Sequence, residues 1–237
     1  MKKNTIILLQ SLMFVSLLTV RLSAQSSPSI WIGAIGGADI GKLTFDPVPS
    51  PSTNVVLGTR TGVLLGAELD DWFSSNFGVG AHVEYVQKGG SETSSFTFEN
   101  QTFSFSEDYI FSYLQIPILF KATIGSGSFK PLFFVGPELG FKLSAKLKVT
   151  QNGQDTTLDA PDSAITSTNV GLLLGAGLTI AIDPTTTVFL TAGYDYGFTN
   201  LNFQYNPGSQ DGGNVKVYTR DIRITAGILF GVGKPRE

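Results

Sequence analysis

Apolar and polar residues alternate along most of this chain, in eight stretches of about a dozen residues or more. Between Leu132 and Lys148, one parity holds Phe133, Val135, Leu139, Phe141, Leu143, Ala145 and Leu147. The other holds Gly136, Glu138, Gly140, Lys142, Ser144, Lys146 and Lys148. Successive side chains of a strand point to opposite faces, so such a segment has one oily face and one charged face. A soluble barrel turns the oily face inward. A membrane barrel turns it outward to lipid and keeps charge in the lumen.

The alternation predicts strands near Ser29–Lys42, Arg60–Phe73, Phe77–Gly89, Tyr109–Ile124, Phe129–Val149, Asn169–Asp183, Thr186–Leu201 and Val217–Val232. Three connections are tight: Ser74-Ser75-Asn76, Gly125-Ser126-Gly127-Ser128 and Asp183-Pro184-Thr185. Four are long: Leu43–Thr59, Gly90–Asp108, Thr150–Thr168 and Asn202–Lys216. Short turns on one rim and long loops on the other is the outer-membrane pattern. The expected fold is all-β: an eight-stranded antiparallel up-and-down transmembrane β-barrel with three short periplasmic turns and four long extracellular loops. Within those loops, Ser95–Phe98 and Phe103–Ser106 flank Glu99–Thr102 almost symmetrically, which predicts a tall hairpin. Asn152-Gly153 is a type I′ hairpin signal. Asn206-Pro207-Gly208 and Gly212-Gly213 mark turns, and Pro47, Pro49 and Pro51 predict an irregular first loop.

Parity sorts the side chains. Val63, Leu65, Ala67, Leu69, Val79, Ala81, Val83, Leu114, Ile116, Ile118, Val170, Leu172, Leu174, Ala176, Leu178, Ile222, Ile224, Ala226 and Ile228 are expected outward. Glu68, Asp70, His82, Glu84, Gln115, Lys121, Glu138, Lys142, Asp195, Asp221 and Arg223 are expected inward as a structural network, with Asp39 also inward. Gly66, Gly80, Gly175, Gly177 and Gly227 leave room for them. An eight-stranded lumen is just wide enough for side chains to fill it, so it should be plugged. Unpaired buried charge is costly, so near balance of signs is expected, with Lys121, Lys142 and Arg223 pairing Glu68, Glu84 and Glu138. Pro117 lacks an N–H and predicts a local bulge or bend. Two aromatic girdles are expected. Trp31, Trp72, Phe73, Phe77, Phe133 and Phe230 would form one at the turn rim, and Tyr85, Phe141, Tyr194, Tyr196, Phe198 and Tyr218 one at the loop rim.

Lys2 and Lys3, an apolar Ile6–Val20 and Leu22-Ser23-Ala24 read as a cleaved export signal. The expected division is a leader over 1–24 and a barrel domain over 25–237. Lys2, Lys3 and Arg21 leave with the leader, so 13 basic residues face 19 acidic ones and the remaining chain carries a formal charge of −6. Such a chain offers no nucleic-acid surface. With no cysteine there is no disulfide framework, and a core or a membrane must supply stability.

Catalytic chemistry is sparse. The single histidine, His82, stands beside Glu84 without a serine that completes a triad. No Cys or His cluster suggests a metal, and no cofactor is expected. Gly33–Gly41 is glycine-rich but is not followed by a helix, so it is no phosphate loop. Asp155, Asp159 and Asp162 do not match the spacing of a calcium loop.

Three segments carry a family resemblance. Val83-Glu84-Tyr85-Val86-Gln87-Lys88-Gly89, Tyr113-Leu114-Gln115-Ile116-Pro117-Ile118-Leu119-Phe120-Lys121 and Gly136-Pro137-Glu138-Leu139-Gly140-Phe141-Lys142-Leu143-Ser144-Ala145 resemble successive strands of the PorT-type outer-membrane β-barrels of Bacteroidota. Gln115 stands where that family carries an acid. The resemblance implies an outer-membrane location, and a family of mixed function in which some members serve secretion or gliding machinery. Asp162-Ser163-Ala164 resembles the motif O-glycosylated in exported proteins of that phylum. The expected role is a non-enzymatic structural or interaction protein. It would be embedded in outer-membrane lipid and meet other envelope proteins through its long loops. Three alternatives stand beside it: an accessory barrel of a secretion or gliding apparatus, a lipid-modifying outer-membrane enzyme using His82, and a soluble exported lipocalin-like binder.

Overall fold

The computed structural model describes residues 29–46, 55–99, 101–151, 153–160, 165–202 and 216–232. The expected leader, Pro47, Pro49, Pro51, Asn152, Asp162-Ser163-Ala164 and the turn signals of the last loop lie outside the described residues.

The strands are β1 (Ser29–Asp46), β2 (Val55–Trp72), β3 (Phe77–Phe98), β4 (Gln101–Thr123), β5 (Phe129–Gln151), β6 (Gln154–Asp159), β7 (Thr168–Asp183), β8 (Thr186–Gly197) and β9 (Lys216–Gly231). They form one antiparallel sheet in the order β4-β3-β2-β1-β9-β8-β7-β5, and β4 also pairs β5, so eight strands close a ring. β6 is a ninth strand outside it. It pairs the far end of β5 (Lys146–Gln151), whereas β7 pairs the near end (Phe129–Phe141). Closure leaves the ring without an open edge, as a membrane requires.

The oily parity faces outward. Leu65 is 61% exposed, whereas Arg223 is 2% exposed and Asp221 fully buried. This overturns the soluble lipocalin-like alternative, which needs the opposite arrangement. Phe73 and Phe77 pack on Phe120 at the turn rim, with ring centroids 6.4 and 5.9 Å apart. At the loop rim Tyr194, Tyr196 and Phe198 form a ladder with spacings of 6.4 and 5.3 Å, and the Arg220 guanidinium lies 3.6 Å from the centroid of the Tyr196 ring. Trp31 and Trp72 are not part of a lipid girdle. They share the inward parity of Ile35 and of Asp70, and line a cavity at the turn end of the lumen.

Three further expectations are decided by the strand register. Gly90–Asp108 is the tall hairpin expected from its symmetric flanks and not an irregular loop. The β3–β4 ladder runs to Phe98↔Gln101, and the strands are 22 and 23 residues long, about twice what a membrane crossing needs. With β5 and β6 they raise a wall on the loop side. Lys148 Nζ lies 2.7 Å from Asp155 Oδ2 across the β5–β6 hairpin, and this bond holds the Asp155 carboxyl below the usual carboxylate range. Second, no bulge forms at Pro117. The register is the same on both sides of it, Ala81↔Ile118 and Glu84↔Gln115 toward β3, Pro117↔Glu138 and Phe120↔Val135 toward β5. A missing N–H removes a ladder bond but does not demand an extra residue. The irregularity lies farther along, where Ser112↔Ser144 is followed by Tyr113↔Lys142 and Leu143 is the extra residue. Third, that one-residue bulge flips the parity of β5 beyond it. Ala145 is buried and Leu147 packs inside, so the oily parity does not stay outward to the end of the strand.

Ile224→Arg, at an outward mid-strand position, should destabilise the barrel by about 2–4 kcal/mol in reversible folding into lipid vesicles. Leu158→Arg, on the exposed β6, should shift stability by no more than about 0.5 kcal/mol.

Candidate functional site

Among the described residues the inward faces bring eleven ionisable side chains and the Gln115 amide into the lumen: Asp39 from β1, Glu68 and Asp70 from β2, His82, Glu84 and Lys88 from β3, Gln115 and Lys121 from β4, Glu138 from β5, Asp195 from β8, and Asp221 and Arg223 from β9. Each is less than a tenth exposed.

Arg223 is the hub of the central group. Its Nη1 donates to Glu84 Oε2 at 3.2 Å and its Nη2 to Glu138 Oε2 at 2.9 Å. Nη2 also donates to Asp195 and to Gln115 Oε1, and Nε lies 3.4 Å from Asp39 Oδ2. β9 and β4 are diametrically opposed in the ring, so the Arg223–Gln115 bond crosses the full lumen. Gln115 Nε2 in turn donates to Glu138 Oε1 at 2.7 Å. Lys88 crosses in another direction. Its ammonium donates to Asp195 on the strand opposite and to Glu138 Oε1 at 3.1 Å, and lies 3.3 Å from Asp221 Oδ2. That contact answers a local problem. Asp195 and Asp221 are direct cross-strand neighbours, and like charges placed so repel.

A second group lies toward the turns. Lys121 Nζ binds Glu68 Oε1 and lies 2.9 Å from Asp70 Oδ1. His82 Nδ1 lies 2.7 Å from Glu84 Oε1, so Glu84 links the two groups. Gly80 makes room here, because a Cβ at that position would meet Asp70 Oδ1 at 2.3 Å and Lys121 Cε at 2.8 Å.

Lys142 does not join either group. It is half-buried near the loop rim and donates to the Ile165 carbonyl at 2.9 Å. Lys88, absent from the expected set, takes the cationic role instead. The signal for it was present, since it continues the parity of His82, Glu84 and Val86. The expected balance of signs is also overturned. Among the described residues the lattice holds seven carboxylates against Lys88, Lys121, Arg223 and one imidazole. Accordingly Asp39 Oδ1, Asp221 Oδ1, Asp195 Oδ1 and Glu68 Oε2 accept no hydrogen bond within the protein.

The two ends of the lumen differ. On the loop side Leu43, Phe45, Tyr109, Phe111, Tyr113, Ala145, Ile165, Leu201 and Val217 form a buried apolar plug above the charges. On the turn side lies a cavity of about 210 Å³, with Trp31 and Trp72 on its walls and Glu68, Asp70 and Lys121 among its lining. A smaller cavity of about 30 Å³, room enough for water, reaches inward past Glu68 and His82 to Glu84 and Arg223.

A closed ring with oil outside and a charged, plugged lumen defines the class of outer-membrane β-barrels. The family profile of the outer membrane protein beta-barrel domain matches residues 23–202, and the chain belongs to that family. It is an outer-membrane protein. No functionally curated protein matches the sequence. Among solved structures the chain is similar to Neisserial surface protein A (NspA), at 15% identity over 86% of this chain and 99% of that one, with a TM-score of 0.45. It is similar also to OprG of Pseudomonas aeruginosa, at 12% identity over 89% and 99%, TM-score 0.44. Ail, the attachment invasion locus protein of Yersinia pestis, matches at 16% over 84% and 98%, TM-score 0.34.

Arg223→Met strands four carboxylates that contact the guanidinium, and should cost about 3–5 kcal/mol in folding into lipid vesicles. Lys142→Met should cost about 1.5 kcal/mol or less, the scale of one rim hydrogen bond.

Proposed function

We propose that this protein is a closed barrel whose lumen is structural and whose working surface is the loop-side wall of β3–β6. It would act by contact with other envelope or external molecules, without transport and without catalysis. One observation carries this reading: Arg223 and Lys88 span the lumen between opposed strands, with an apolar plug above them. No open aqueous path is expected through such a section. The wall supports the second half of the reading. β6 is exposed along its whole length, and the hairpin that carries it stands beyond the ring.

A non-catalytic role draws support from the surroundings of His82. Its cavity carries the hydroxyls of Thr191 and Thr225 and no serine. The imidazole faces carboxylates rather than a nucleophile. Export through the leader read over 1–24 belongs to the same proposal. So does kinship with PorT-type barrels, because Glu84, Lys88, Gln115 and Glu138, polar positions of the three resembling segments, all meet in the lattice. Service to a secretion or gliding apparatus would use the same loop-side wall.

Reconstituted in a planar bilayer, the protein should show no unitary conductance steps. Discrete, reproducible steps at low voltage would overturn the closed-lumen reading.

A further inference from the structure

We infer that Glu68, Asp70 and His82 form a binding site for a divalent transition metal of the zinc type, entered from the turn-side cavity. The inference is independent of the role proposed for the loop-side wall.

The first observation is an imidazole with an unused lone pair. A carboxylate only accepts, so the 2.7 Å contact places the proton of His82 on Nδ1, donating to Glu84 Oε1. Glu84 is itself anchored by Arg223. This is the arrangement in which a carboxylate fixes the tautomer of a metal-binding histidine. His82 Nε2, the lone-pair atom of that tautomer, is buried and makes no hydrogen bond. It points at Glu68 Oε2, also buried and without a hydrogen bond, 3.6 Å away. Two such atoms facing each other across 3.6 Å can hold a cation between them. Ligand atoms held about 2.1 Å from a tetrahedral zinc lie roughly 3.4 Å apart, close to the gap present here.

The second observation is the third ligand and the way in. Ligand atoms of Glu68, Asp70 and His82 lie within 4.8 Å of one another. Three protein ligands leave a fourth position for water. The small cavity beside Glu68 and His82 supplies that room, and Glu68 and Asp70 also line the larger cavity at the turn rim. The surplus of lumen carboxylates supplies the charge. Lys121 is the resident competitor, since its ammonium sits between Glu68 and Asp70. It also lines the turn-side cavity, into which its flexible stem carries the charge when the metal enters.

The test is zinc titration of the metal-stripped, folded full barrel in detergent micelles, by calorimetry and by the temperature at which the compact form unfolds. Wild-type protein should bind one Zn²⁺ per chain and unfold at higher temperature with it. His82→Ala should weaken binding at least tenfold and abolish the thermal shift. Lys121→Met, which removes the competitor, should tighten binding at least tenfold. If that variant folds only when Zn²⁺ is supplied, the proposal is equally supported. Wild-type protein that takes up no Zn²⁺, or binding that is the same in His82→Ala, would overturn it.

Discussion

The Arg223 guanidinium, met by side chains from five strands, holds this barrel together from the inside. A charge in a lumen of this width has little water to fall back on, so its partners must come from the protein. Arg223 finds them on β1, β3, β4, β5 and β8, and Lys88 adds contacts to β5, β8 and β9. On the outside, side chains meet only near neighbours in the sheet, as in the Tyr194, Tyr196 and Phe198 ladder. The inside ties each wall to the one facing it. The ring geometry and the charge lattice are therefore mutually dependent: the strand order brings the partners within reach, and the partners make the enclosed charges tolerable.

The lumen is organised along its axis as well as across it. An apolar plug caps the loop side, the crossed ion pairs fill the centre, and a tryptophan-walled cavity lies at the turn side. Glu68 and Asp70 line the turn-side cavity, and Arg223 lies beyond them. This one-ended layout separates two regions of the molecule. The loop-side wall and the lower lumen lie on opposite sides of the central bracing.

Much of this was legible in the sequence because a strand in a membrane barrel has a strict period of two. Once the lipid face was chosen from Val63, Leu65 and Leu69, the opposite placement of Glu68 and Asp70 followed. The pairing of Glu68 with His82 was also within reach. Both lie seven residues from Ser75, the centre of a tight turn, and they are direct cross-strand partners. What was not legible depends on contacts between strands that are distant in sequence. No local pattern shows that Leu143 is an extra residue, because the bulge is defined only against Ser112 and Tyr113 on β4. Periodicity puts both Lys88 and Lys142 on the inward parity but does not say that Lys88 reaches Asp195 across the lumen while Lys142 stays at the rim. Trp31 and Trp72 were misplaced because their chemistry suits an interface on either side of the sheet, and parity, not residue type, decides between lipid and lumen.

The central claim is that charges on separate walls stabilise the fold through one another. A double-mutant cycle on Arg223→Met and Glu138→Leu, with stability measured by reversible folding into lipid vesicles, tests it most directly. Coupling through the lumen predicts that the double variant is more stable than the sum of the single losses implies, by an interaction energy of about 0.5–3 kcal/mol. Additive losses would mean that the two side chains do not meet, and would contradict the account.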